Sequence, residues 1–216
     1  MWNIARELNT IDPRRVGLLG GTFDPLHLGH LQIAQDALEM RGLDEVCLIP
    51  CAGPPHKQTA RIAPGEQRLA MIEAAIADDP RLSVSLVELE RGGTSYTVDT
   101  VRGLQADAPG IEFFFVIGAD TLFELYSWKD IDKLLEMLTF VVVARPGFDT
   151  RGLSAERLRL GQDQFEILAR SIIVGHETDI SSTEVRMRVA EGLSVRYLVP
   201  DRVADYIAEH GLYRSM

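Results

Sequence analysis

The chain has 216 residues and only 2 cysteines, Cys47 and Cys51, too few for a disulfide framework. Cys47 lies in the apolar run Val46–Ile49, where a free thiol behaves as a small hydrophobe. Long apolar runs are also missing. The longest, Phe113–Ile117 and Phe140–Ala144, are strand-length, far from the ~18 residues of a membrane span. There is no excess of basic residues either: Lys plus Arg is 22, Asp plus Glu is 32, and the formal net charge is −10. That balance argues against a protein that grips nucleic-acid backbone, which needs a basic face. It leaves room for a small anionic substrate, which a few local cations and backbone amides can hold. Met1–Arg15 shows no signal-peptide pattern, because Arg6, Glu7, Asp12, Arg14 and Arg15 interrupt any apolar stretch. Together with the scarce cysteines, this points to the cytoplasm. Repeats and low-complexity segments are absent from the sequence. What remains is ordinary globular composition, 46% hydrophobic and 25% charged, at a length that suggests one domain.

Apolar runs alternate with helical patterns along the chain. Val16–Leu19, Val46–Ile49, Leu82–Val87, Phe113–Ile117, Phe140–Ala144 and Ser171–Val174 read as strands. His27–Met40, Glu66–Ala77, Thr97–Ala106, Ile131–Met137, Glu156–Ala169 (with a break near Gly161), Glu184–Ala190 and Val203–Glu209 read as helices. Strands that are continuously apolar are buried on both faces, and strand–helix alternation then implies a parallel sheet covered by helices. The expected fold is a doubly wound α/β domain spanning residues 1–216. Ligands of such folds bind outside the carboxyl ends of the strands, so the loops after the strands are where function is sought.

The first of these loops reads Gly20-Gly21-Thr22-Phe23-Asp24-Pro25-Leu26-His27-Leu28-Gly29-His30. It is neither a Walker loop nor a dinucleotide fingerprint. Two glycines let the backbone approach a ligand, and a helix start beyond them favours an anion. His27 and His30, three apart, share a helix face. Local chemistry leaves three readings open: phosphate binding, an Asp24-Pro25 cap with packing histidines, and a metal site that lacks a third ligand. As a whole the segment resembles the signature of the nucleotidyltransferase superfamily with the His-x-Gly-His motif.

The last loop reads Ile180-Ser181-Ser182-Thr183-Glu184-Val185-Arg186. Ser181 and Glu184 fit a capping box, and Ile180 and Val185 a hydrophobic staple. Ser182, Thr183 and Arg186 are left over, and hydroxyls plus a guanidinium at a helix start suit a polyphosphate. The segment is similar to the superfamily's second signature, Ile-Ser-Ser-Thr-x-x-Arg.

Three further segments resemble bacterial nicotinate-mononucleotide adenylyltransferases: Pro54-Pro55-His56-Lys57, Ser95-Tyr96-Thr97-Val98-Asp99-Thr100, and Ile117-Gly118-Ala119-Asp120, the last followed by Trp128 and Arg145-Pro146-Gly147. The likeness begins near Arg15 and leaves residues 1–14 as an unassigned extension. It implies a Rossmann-like nucleotidyltransferase fold and adenylyl transfer from ATP to nicotinate mononucleotide, with Mg²⁺ travelling with ATP and no resident metal. It implies small-molecule partners, with no nucleic acid and no membrane. His27, His30 and Arg186 are the implied catalytic residues. Gly20, Gly21, Thr22, Phe23, Gly118, Asp120, Ser182 and Thr183 join them around ATP, and Lys57, Tyr96, Thr97 and Trp128 hold the acceptor. Each has a plainer alternative. Trp128 could anchor the helix at Ile131–Met137, Tyr96 and Thr97 could be only a helix start, and Asp120 could be an N-cap. His176 and His210 read as non-functional. A related acceptor, or a non-catalytic nucleotide sensor, are the competing functions. Retention of both histidines and Arg186 disfavours the sensor.

Overall fold

The computed structural model describes residues 13–53, 62–145 and 147–214. Strands β1 (Arg14–Gly21), β2 (Glu45–Pro50), β3 (Leu82–Val84), β4 (Ile111–Gly118), β5 (Thr139–Ala144) and β6 (Ile172–Val174) form one sheet in the order β3-β2-β1-β4-β5-β6. Every pairing is parallel. This is the doubly wound order, with the switch point between β1 and β4. The loops after those two strands diverge to opposite sides and open a crevice at their carboxyl ends. Arg14 already pairs with Ile111, so the last residue of the supposed extension belongs to β1; residues 1–12 lie outside the described residues.

The continuous apolar runs owe their pattern to burial on both sides. Phe113, Phe115 and Ile117 of β4 pack into one core with Val98, Val101 and Leu104 of α4 (Thr97–Asp107). Phe114 and Val116 point into the other core, with Ala34, Ala37 and Leu38 of α1 (Leu28–Arg41) and Ile72 of α2 (Gly65–Ile76). Burying each of the Val, Leu, Ile and Phe side chains contributes roughly 1.5–3 kcal/mol. Cys47 is fully buried, and burial pushes its thiol up to about 12, so it packs as an inert hydrophobe.

Two boundaries depart from the periodicity. The edge strand β3 stops at Val84, and residues 87–91 instead form the short helix α3 (Val87–Arg91). An apolar Leu86-Val87 pair extends the strand on paper. In the fold, the turn buries the Glu88 carboxylate, which accepts a 2.7 Å hydrogen bond from Thr100 Oγ1. After α5 (Ile131–Met137), the break at Gly161 separates α6 (Ala155–Leu158) from α7 (Gln162–Ser171). Helices α8 (Ser182–Ala190) and α9 (Asp201–Glu209) begin two residues earlier than their apolar patterns suggest. They share a third apolar cluster, in which Val185, Val203, Ile207 and Tyr213 meet Met71 of α2. No helix of the described residues is long and apolar enough to cross a membrane.

Candidate active site

The loop between β1 and α1 is held from beneath. Phe23 is 1% exposed at φ +48° and presents its ring edge to His30, with centroids 4.9 Å apart. A Cβ on Gly21 would stand 2.9 Å from that ring, so packing against Phe23 already demands glycine there. The Phe23 side chain therefore supports the loop from the core, beneath the cavity, and a contact to ATP is left to its backbone.

His27 is the N-cap of α1, in extended conformation, and not a residue of its first turn. Its ring folds back over the helix start. A Cβ on Gly29 would come within 3.0 Å of its Nδ1, which explains the glycine between the two histidines. The His27 amide donates to Nδ1 of His30 at 3.2 Å, and the rings stack 3.7 Å apart. An acceptor Nδ1 is unprotonated, so the proton of a neutral His30 sits on Nε2. Burial, with the charge of Arg145 in support, lowers His27 to about 4 and keeps it neutral. The amide of Leu28 is taken by the carbonyl of Leu198 at 2.9 Å, so the helix start is only partly open to an anion. Asp24 does not cap α1. It is 3% exposed and accepts from the Tyr213 hydroxyl at 2.7 Å and the Ala63 amide at 3.2 Å.

The loop before α8 reaches the same place from the other end of the chain. Ser181 is the N-cap, accepting from the Glu184 amide at 3.1 Å, and Val185 is buried beside Ile180, as the staple requires. Ser182 donates to the Pro25 carbonyl at 2.9 Å. Arg186 donates to the Asp24 carbonyl at 2.7 Å and to Thr183 Oγ1 at 3.1 Å. The two sequence signatures are thus tied directly to each other.

Between them lies a cavity of about 1310 Å³, lined by Gly20, Gly21, Thr22, His27, His30, Tyr96, Thr97, Gly118, Asp120, Trp128, Ser182, Thr183 and Arg186. Of the expected residues that are described, only Phe23 is missing from its wall. Phe23 lies beneath, and Lys57, with the Pro54-Pro55-His56-Lys57 segment, lies outside the described residues. Asp120 is not an N-cap. It falls inside the 3₁₀ turn Ala119–Phe123, capped by Gly118. Trp128 packs edge-on against Phe115 of β4, with centroids 5.7 Å apart, and borders the cavity. Tyr96 is the N-cap of α4, and Lys129 Nζ lies 4.6 Å from its ring centroid while pairing with Asp99 at 2.8 Å.

Sequence reasoning missed several residues around the cavity. Arg68 is 2% exposed, and its guanidinium donates to the carbonyls of Thr22, Cys51 and Ala63, pinning the first loop to the end of β2. His176, read as idle, lies on the cavity wall and binds Asp36 of α1 through both its amide (2.8 Å) and Nδ1 (2.6 Å). Its hydrogen bond to the Asp36 carboxylate, with that group's charge, raises its pKa above the ordinary value. Lys129 and Arg145 complete the cationic side chains beside the expected set. Arg145, just after β5, and His176, just after β6, were open to discovery from strand position.

A family model described as cytidylyltransferase-like matches residues 18–188. A protein of Herpetosiphon aurantiacus named "probable nicotinate-nucleotide adenylyltransferase" is 47% identical over 202 residues, covering 93% of this chain and 98% of that protein. One of the same name from Thermus thermophilus is 45% identical over 200 residues, covering 93% of this chain and all of the relative. Among solved structures, the nicotinic acid mononucleotide adenylyltransferase of Plasmodium falciparum complexed with NaAD superposes with a TM-score of 0.72 over 93% of this chain and 97% of that one. At 18% identity that likeness speaks for the fold.

Proposed function

The chain belongs to the cytidylyltransferase-like family, among the nicotinate-nucleotide adenylyltransferases, and on that premise we propose how its cavity performs the reaction. ATP and nicotinate mononucleotide give nicotinate adenine dinucleotide and pyrophosphate, a step of NAD biosynthesis. The observation that carries the residue assignment is the joining of the two signatures over one cavity, through Ser182 to Pro25 and Arg186 to Asp24.

A phosphate oxygen of the acceptor attacks the α-phosphorus of ATP in line. A new P–O bond forms, the bond from that phosphorus to the α–β bridging oxygen breaks, and pyrophosphate leaves with the bonding pair. Such a transfer asks the protein for positioning and charge neutralisation, and no enzyme-bound intermediate is needed. His30 offers its Nε2–H, and neutral His27 lies stacked against it over the glycine-lined end of β1. Arg186, with Ser182 and Thr183 at the start of α8, holds the departing pyrophosphate. Gly20, Gly21 and Thr22 let the nucleotide lie close to the backbone, and Gly118 and Asp120 border its nucleoside. Tyr96 and Thr97 place the amides of the α4 start toward the nicotinate carboxylate, and Trp128 supplies a flat face for the ring. Lys57 joins this reading as an acceptor-phosphate residue from the sequence alone.

Mg²⁺ enters with ATP. Phosphate oxygens and water would supply its ligands, because Mg²⁺ keeps its waters and takes phosphate oxygens readily. The protein's side chains act on the phosphates themselves. The substrates are small molecules, without nucleic acid or membrane, residues 1–216 act as one domain, and we place the reaction in the cytoplasm. The test is pyrophosphate release from ATP with nicotinate mononucleotide, nicotinamide mononucleotide and phosphopantetheine in parallel. Release with the first is expected. Preference for another acceptor overturns the assignment, and ATP binding without release with any of them restores the sensor.

A further inference from the structure

Three segments distant in the chain meet at the carboxylate of Asp24. Tyr213, near the C-terminus, donates its hydroxyl to Oδ1 at 2.7 Å, and the amide of Ala63 donates to the same oxygen at 3.2 Å. Arg186 Nη1 stands 3.9 Å from Oδ2, yet makes its 2.7 Å hydrogen bond to the backbone carbonyl of the same residue. The guanidinium is held beside a buried carboxylate without being closed onto it. A carboxylate in that position with fewer donors would draw the guanidinium into a direct pair, since charge-assisted contacts are short and strong where water is excluded. Arg68, the other nearby guanidinium, is committed to three carbonyls.

We propose that Tyr213 is a positioning residue: by sharing the charge of Asp24, it keeps Arg186 on the Asp24 carbonyl and on the cavity wall, where it meets pyrophosphate. The inference rests on the reading of Arg186 given above. The setting of the tyrosine suits the role. It is 9% exposed and sits at φ +62°, a left-handed conformation that side chains rarely adopt unless their surroundings hold them. It packs in the same cluster as Val185, the residue before Arg186, so ring and arginine share one support. Burial, reinforced by Asp24, raises its pKa and keeps the hydroxyl a donor.

The experiment runs the reaction backwards, with nicotinate adenine dinucleotide and pyrophosphate, and reads the KM for pyrophosphate. Arg186→Ala should raise it strongly. Tyr213→Phe, which keeps the ring, should raise it about tenfold by the loss of one hydrogen bond to a charged group, with the KM for the dinucleotide unchanged. Adding Asp24→Asn to Tyr213→Phe removes the charge that captures Arg186 and should return the KM toward wild type, a rescue that general loosening cannot produce. Asp24→Asn alone should leave the pyrophosphate KM at the wild-type value, and this variant decides the matter should Tyr213→Phe fail to fold. No change with Arg186→Ala overturns the reading of the arginine, and the proposal with it. A strong effect there, with no effect of Tyr213→Phe or no rescue by Asp24→Asn, overturns the role of Tyr213 alone. A raised KM in Asp24→Asn alone also overturns it.

Discussion

The amide of His27 donates to Nδ1 of His30, and the two imidazoles stack 3.7 Å apart across the start of α1. The contact decides which nitrogen of His30 can serve the substrate. A backbone donor occupies Nδ1, so in the neutral ring the proton is on Nε2.

His30→Ala should therefore lower turnover by about 100–1000-fold, the usual effect of losing one preorganised donor to developing charge. Its melting temperature should fall only by what one lost cap costs, about 0.5–2 kcal/mol, because the variant also removes the Nδ1 that accepts from the His27 amide. His27→Ala should show a similar loss of turnover. Steady-state kinetics and thermal melting on the same preparations check this, and near-normal turnover in both variants would return the pair to packing and capping.

The depressed pKa of His27 makes a second, thermodynamic prediction. Folded His27 titrates at about 4 instead of 6.5, so between those values the unfolded chain binds a proton that the native chain does not. Its contribution to stability is full above pH 6.5 and is lost as pH falls toward 4. The whole loss is about 3 kcal/mol. His27→Gln removes the titrating group, so its melting temperature should fall less steeply than the wild type's from about pH 7 to about pH 4.5. Equal slopes in melting curves across that range would contradict a buried, neutral His27.

The cap and the phosphate group before α8 should separate experimentally. Ser181 borders the cavity, but its hydroxyl oxygen is engaged as the cap, accepting from the Glu184 amide. Ser181→Ala should cost about 0.5–2 kcal/mol of stability with kcat largely kept. Arg186→Lys should instead retain stability but recover little activity, because an ammonium cannot both hold the Asp24 carbonyl and present a planar fork. Loss of activity in Ser181→Ala at unchanged melting temperature would show that this division is wrong.

Acceptor choice should come from the start of α4 and not from the tryptophan. A nicotinate carboxylate accepts at both oxygens, whereas a nicotinamide turns an NH₂ toward donors and leaves buried groups unpaired. Sites of that kind discriminate by up to ~10⁴–10⁵. Trp128→Ala should weaken both acceptors while keeping their kcat/KM ratio. It should also lower the melting temperature, because the ring packs on Phe115. A ratio that collapses in the variant would move selectivity to Trp128.

The parallel sheet and its helices were legible because each central strand is apolar without alternation, which only two-sided burial explains. The runs at Val46–Ile49 and Phe113–Ile117 show this directly, and their alternate residues enter different cores. The tail of β3 was not legible. Leu86 and Val87 carry the same apolar signal whether the chain continues as an edge strand or turns to bury Glu88 against Thr100. Ser181 and Val185 were readable as cap and staple because those interactions span only a few residues.

What the sequence determined by itself is therefore local or periodic: the strand–helix order, the cap of α8, and two compact signatures whose residues are fixed by short spacing. Tertiary structure alone decided that Phe23 lies under the cavity and not on its wall, because its inward turn depends on Gly21 and His30 in three dimensions. It also decided the partners of the buried polar groups. Asp24 reaches Tyr213 across 189 residues, Asp36 reaches His176 across 140, and Ser182 reaches Pro25 across 157. A buried polar group must find a partner wherever the folded chain brings one. No spacing in the sequence carries that information.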